Sequence, residues 1–135
     1  EQKDIADYIV ETYSVEQIRD EFENEDSTFF IAELNEKAVG FAKLRENSVP
    51  ECLKGKKTIE LHRIYLIEKV WRKGIGRILI EKCLDESKRK GFVSMWLGTW
   101  EANKRARKFY ESLGSFCLIK FSNKSYPFLL TFNCR

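Results

Sequence analysis

The sequence is poor in several things, and each shortage closes a class of answer. It holds one histidine, and its four cysteines, Cys52, Cys83, Cys117 and Cys134, stand far apart with no C-x-x-C pair. Zinc sites need clustered Cys and His ligands, so no metal is expected. A chain of 135 residues that is 43% hydrophobic does not need disulfide staples. The thiols are therefore expected to be reduced, as in a cytoplasmic protein. No apolar run approaches the length of a membrane span and no signal peptide opens the chain, so neither a membrane location nor secretion is expected. Charge of one sign is also scarce in excess: 24 Lys and Arg against 21 Asp and Glu leave +3. That balance does not support nucleic-acid binding through bulk charge. With no repeats, low-complexity tract or interdomain linker, residues 1–135 are read as a single domain. Glu1 rather than Met begins the chain, and a native N-terminal segment is expected to precede it.

What is present is a succession of short, well-punctuated elements. Ser14 and Gln17 in "SVEQIRDEFEN" form a capping box ahead of a stripe of Val15, Ile18 and Phe22, and "DIADYIVETY" before it is also helix-like. "STFFIAEL" and "AVGFAKLR", joined by a "NEK" turn, predict a β-hairpin. "ENSVPECLKGKK" carries Pro50 and Gly55 and reads as a loop, and "TIELHRIYLI" as a strand. A helix follows, with Ile75, Leu79 and Cys83 flanked by Ile78 and Leu84 at helical spacing and Gly91 as its stop. "FVSMWLGTW" is a strand. "NKRARKFYESLG" is a helix with Asn103 as N-cap and Gly114 past its end. "FCLIKF" and "YPFLLTF" close the chain as a hairpin. This order predicts an α/β (α+β) domain with a mixed sheet flanked by helices.

Within it, "WRKGIGR" asks for an explanation. A helix N-terminus following a strand exposes unpaired N–H groups and a partial positive charge, which together hold an anion such as phosphate. Gly74 and Gly76 allow an anion to approach the main chain, and Arg72, Lys73 and Arg77 add charge. The signature of a P-loop is absent, and a dinucleotide fingerprint would need a third glycine where Leu79 stands. A pyrophosphate cradle is the functional reading. A tight strand-to-helix turn with solvated charges is the structural one.

"WRKGIGRILIEKCL" followed by "WLGTWEANKRARKFYESLG" resembles the GNAT superfamily of acyl-CoA N-acyltransferases. The cofactor loop of that superfamily reads [QR]-x-x-G-x-[GA], and a later helix reads N-x-x-A-x-x-F-Y-x-x-x-G. The second pattern is complete in Asn103, Ala106, Phe109, Tyr110 and Gly114. The first has its glycines at Gly74 and Gly76, but Trp71 replaces the leading Gln or Arg, and Ser115 replaces a usual aromatic after the last glycine. The resemblance covers roughly Phe29 to Phe121. Within the superfamily, "IELHRIYLIEK" and the Asn103 helix look most like the bacterial spermine/spermidine N-acetyltransferases. Those proteins carry a further N-terminal strand and helix, which this sequence lacks.

The resemblance implies a mostly antiparallel GNAT-like sheet and acetyl-CoA as co-substrate, without a metal. It implies transfer of the acetyl group to a primary amine, a polyamine or another small amine, in a ternary complex. Tyr110 is implied as the acid that protonates the leaving sulfur, its alternative being one more buried aromatic. Glu60, 11 residues before Trp71, is implied as the base for the amine proton, its alternative being a solvated carboxylate. Ile64 and Leu66 are implied to pair with pantetheine through their main chain. Trp71, Arg72, Lys73, Gly74, Ile75, Gly76 and Arg77 are implied to surround the pyrophosphate, and Asn103 to face the cofactor. Lys104, Arg105, Arg107 and Lys108 could assist the 3′-phosphate or form a solvated helix face. His62 is a candidate proton relay, although a lone histidine is more often structural. No cysteine is placed by the motifs to carry an acyl group, which favours direct transfer. The rival reading is a CoA-binding or protein-interaction module without turnover. The partner expected is a small amine, with no nucleic acid or membrane, and a homodimer is left open.

Overall fold

The computed structural model describes residues 20–99, 104–114, 116–120 and 128–134. They form six strands and two longer helices: β1 (Ser27–Leu34), β2 (Lys37–Arg45), β3 (Thr58–Leu66), α1 (Ile75–Arg89), β4 (Ser94–Thr99), α2 (Lys104–Ser112), β5 (Phe116–Lys120) and β6 (Phe128–Asn133). Residues 20–23 end a further helix. The expected helix signals of residues 4–19 lie outside the described residues, as does Asn103.

Strand order is β1-β2-β3-β4-β6-β5. β1 with β2, β4 with β6 and β5 with β6 pair antiparallel, and β3 with β4 pairs parallel, through Thr58–Ser94, Ile59–Met95 and Glu60–Trp96. The mixed, mostly antiparallel sheet expected from the sequence is thus the one observed. Its first hairpin turns on Asn35 and Glu36, whose φ values of 53° and 67° give the left-handed pair that matches strand twist. Lys37, expected in the turn, already belongs to β2.

By contact density the chain divides into two compact units, residues 1–47 with 61–83 and residues 48–60 with 84–135. The first has its apolar cluster at Val39, Ile67 and Val70, with Ala32, Tyr65, Leu66 and Ile75 packed on it. Here β2 and β3 approach closely: a Cβ on Gly40 would meet the Leu66 side chain and lie 2.7 Å from the Tyr65 carbonyl oxygen. Only glycine fits there without displacing backbone. The second unit clusters Leu53, Trp96 and Leu129, and the Trp96 indole N–H donates to the Ser48 carbonyl at 2.9 Å, so the large ring is buried with its polar atom satisfied.

Helix α1 ends as its sequence predicts. Gly91 takes φ +88°, and the Phe92 N–H donates back to the Ser87 carbonyl. Its buried stripe keeps Leu79 and Cys83 of the expected one and departs from it at the flanking Ile78. Leu79, Ile80, Cys83 and Ser87 are buried, whereas Ile78 is 62% exposed. Four apolar residues crowd the first turns, and their spacing fits more than one helix phase.

Candidate functional site

The candidate residues fall into two groups, one in each unit. In the first unit the chain leaves β3 at Leu66, makes a short 3-10 turn at Glu68–Val70 and reaches α1 through four turn residues. Val70 is buried beside Val39 and Ile67, which anchors the turn. Arg72 then takes φ +64° and Gly74 φ +85°. Left-handed residues within a turn are the backbone material from which anion nests are built. Nothing lies within 4 Å of where a Gly74 Cβ would stand, so the space over it is open.

Arg72, Lys73, Gly74 and Arg77 are exposed, Ile75 is half-buried and Gly76 is buried. The fifteen-residue α1 starts at Ile75, and the Ile78 N–H donates to the Gly74 carbonyl at 3.1 Å. The first N–H groups of α1 and its dipole therefore lie beside the glycines. A pyrophosphate fits what is present: open room over a glycine, main-chain donors and exposed cations. Ile64 and Leu66, both half-buried, lead along β3 towards this turn. Trp71 is exposed, and its indole N–H donates to the Leu66 carbonyl at 2.9 Å. Sequence reasoning missed this bond, and it missed the left-handed Arg72 because arginine, unlike glycine or asparagine, does not signal such a backbone in advance.

The same unit holds a buried charged group that the sequence did not announce. Lys43 is nearly inaccessible; its Nζ lies 3.2 Å from Glu21 Oε1 and 5.7 Å from the Phe29 ring centroid. Arg63 Nη2 donates to the same Glu21 oxygen at 2.8 Å. Burial lowers the Lys43 pKa against the opposing pull of Glu21. His62 lies in the field of these cations. Burial first, then Arg45, Lys43 and Arg63, push its pKa down to about 3. Its ring is neutral at any working pH, and its buried Nδ1 has no hydrogen-bond partner among the described residues. A base this weak is a poor proton relay.

The second unit holds the proposed acid and base. Glu60 sits on β3 opposite Trp96 in the parallel register and is only 3% exposed. The alternative of a solvated carboxylate is thereby removed. Tyr110 lies on α2, 8% exposed, between two aromatic neighbours: Phe109 at 5.3 Å between ring centroids and Phe132 at 6.4 Å edge-on. Gly114 ends α2 with φ +101°, as its motif predicts. Lys104, Arg105 and Lys108 are exposed. Burial raises the Cys83 pKa to about 12 and that of Cys134 to about 11, so both thiols stay protonated and unreactive. Among the described residues no group of three or more His, Cys, Asp or Glu side chains could hold a metal ion. No described helix is long and apolar enough to cross a membrane.

The profile of the Acetyltransferase (GNAT) family matches residues 2–115. The chain belongs to the GNAT family of acetyltransferases. It is 27% identical over 120 residues to an uncharacterised N-acetyltransferase of the pepI 3′ region of Lactobacillus delbrueckii subsp. lactis, covering 89% of this chain and 68% of that protein. A segment of 43 residues is 44% identical to the ribosomal protein bS18 alanine N-acetyltransferase of Salmonella typhimurium, covering 32% of this chain and 29% of the relative. The chain thus spans between 29% and 68% of the curated relatives it matches. The fold is shared with the PaiA N-acetyltransferase of Thermoplasma acidophilum, solved in complex with coenzyme A, at a TM-score of 0.75 and 24% identity over 96% of this chain and 77% of that one. The matching family is one of acetyltransferases, and the glycine turn and the Tyr110 helix of this chain are the parts that the sequence resemblance singled out.

Proposed function

We propose that this chain transfers the acetyl group of acetyl-CoA directly to a primary amine, within one GNAT domain and without an acyl-enzyme. The observation that carries the reading is the turn before α1: Arg72 and Gly74 in left-handed conformations and open space over Gly74, delivered to the start of a fifteen-residue helix. Such a turn suits the pyrophosphate of a CoA thioester. The family membership and the CoA-bound fold neighbour support acetyl-CoA as the donor. Ile64 and Leu66 offer main-chain pairing to the pantetheine arm, and Asn103 faces the cofactor by motif.

In the proposed reaction the amine attacks the thioester carbonyl, the C–S bond breaks, and the amine proton passes to Glu60 directly or through water. The thiolate takes its proton from the phenol hydroxyl of Tyr110, which acts as the general acid. The inert Cys83 and Cys134 support direct transfer, and their free thiols suit a cytoplasmic setting.

For the acceptor, a small amine such as a polyamine follows from the sequence resemblance. A peptide N-terminus is the second reading, favoured by the 44% identity over 43 residues to the bS18 alanine acetyltransferase. The test is acetyl-CoA-dependent acetylation by the full-length protein, followed by mass spectrometry, with spermidine, free amino acids and an alanine-start peptide side by side. Acetylation of one class is expected. Tight acetyl-CoA binding without acetylation of any acceptor would leave the non-catalytic CoA-binding module instead.

A further inference from the structure

We propose that the side chain of Trp71 is a positioning residue for the cofactor cradle: its indole N–H, bonded to the Leu66 carbonyl at 2.9 Å, latches the turn to the end of β3. The proposal rests on the reading of Arg72–Arg77 as the pyrophosphate cradle, and it gives the indole a task other than touching the ligand.

The local geometry shows why a latch belongs there. Arg72, the next residue, has φ +64°, a conformation that side chains larger than hydrogen rarely adopt. Such a residue persists only where its surroundings over-determine it. On the far side the chain is held by Ile75, which packs on the cluster of Val39, Ile67 and Val70. Between Val70 and Ile75 every residue is exposed, so packing does little to fix them. Trp71 is held twice. Its main-chain N–H donates to the Glu68 carbonyl at 3.0 Å, and its indole N–H donates to Leu66. These two bonds determine the direction in which the chain enters Arg72.

Trp71 is also where the sequence departs from the family pattern. A Gln or Arg has donors to extend towards a ligand, whereas an indole has a single N–H, and here it is bonded to the protein's own backbone. The Leu66 carbonyl has a second lone pair, so this bond is compatible with main-chain pairing of an extended arm along β3.

The test is Trp71→Phe, which keeps an aromatic ring and removes the N–H. The ring is exposed, so the fold is expected to survive. Acetyl-CoA affinity should fall on the order of ten-fold, the upper range of one net hydrogen bond. Affinity for S-acetylpantetheine, which lacks the pyrophosphate, should stay unchanged. Amide hydrogen exchange should quicken at residues 72–77 and nowhere else. Equal losses for both ligands would show that the indole contacts the cofactor arm and would overturn the latch, as would unchanged exchange at residues 72–77. If the wild-type protein fails to bind acetyl-CoA, the cradle reading falls, and the exchange measurement alone decides whether Trp71 fixes the turn.

Discussion

The two units present their candidate chemistry in different materials. In the first the candidate site is main chain: two left-handed residues, a glycine under open space and the start of α1, surrounded by exposed side chains. In the second it is two buried side chains, Glu60 and Tyr110, carried on a regular strand and a regular helix. A backbone site depends on conformation and tolerates changes of surface charge. A side-chain site tolerates no loss of its reacting atom, even where the ring that bears it is kept.

The largest expected effect is at the side-chain pole. Tyr110→Phe keeps the ring against Phe109 and Phe132 and deletes only the hydroxyl, so turnover should fall by about 10²–10⁴-fold, the usual contribution of a general acid. Retention of most of the turnover, measured where chemistry limits the rate, would make Tyr110 a packing residue and solvent the acid. Glu60→Gln should follow, with a loss on the order of 10²-fold that is greatest at acidic pH, where the amine is most protonated, and fades as pH rises. A pH–rate profile like that of wild type would remove Glu60 from the mechanism.

At the backbone pole, Gly74→Val forces a β-branched residue into φ +85° and fills the open space over the turn. Acetyl-CoA affinity should fall by at least about ten-fold, and stability by about 1–2 kcal/mol, from the left-handed strain. Calorimetry showing wild-type affinity in a folded Gly74→Val protein would mean that the turn is only a connection.

The smallest effect concerns His62, whose folded pKa of about 3 lies below its ordinary 6.5. Between those values the unfolded chain binds a proton that the folded chain refuses, so stability climbs as pH rises through this window and this group contributes no slope above it. His62→Gln removes the penalty. Relative to its own value at pH 7, the variant should be more stable than wild type at pH 4.5 by on the order of 1 kcal/mol, allowing for solvent screening at the partly exposed ring. Parallel stability–pH curves from urea titrations would show that His62 is protonated normally in the folded chain.

The same contrast explains how much could be read from the sequence. The hairpin turn, the end of α1 at Gly91 and the end of α2 at Gly114 were legible because glycines and turn residues mark unusual backbone. The unusual backbone of the turn before α1 was legible for the same reason at Gly74, and illegible at Arg72, a residue type that does not mark a left-handed φ. The buried stripe of α1 was misread at Ile78 because consecutive apolar residues carry no single phase. The burial of Glu60 was hidden because Thr58 to Leu61 are all buried, so strand alternation has no exposed side to reveal. Lys43 was hidden because its partner Glu21 is distant in sequence, and a lysine is rarely buried without one.

The most direct test is a paired measurement on Gly74→Val and Tyr110→Phe: the dissociation constant for acetyl-CoA and the single-turnover rate of acetyl transfer at saturating donor. The account predicts a double dissociation. Gly74→Val should weaken binding and keep most of the rate once saturated, and Tyr110→Phe should bind within a few-fold of wild type and lose about 10²–10⁴-fold in rate. Loss of affinity in Tyr110→Phe together with an unchanged single-turnover rate would contradict it.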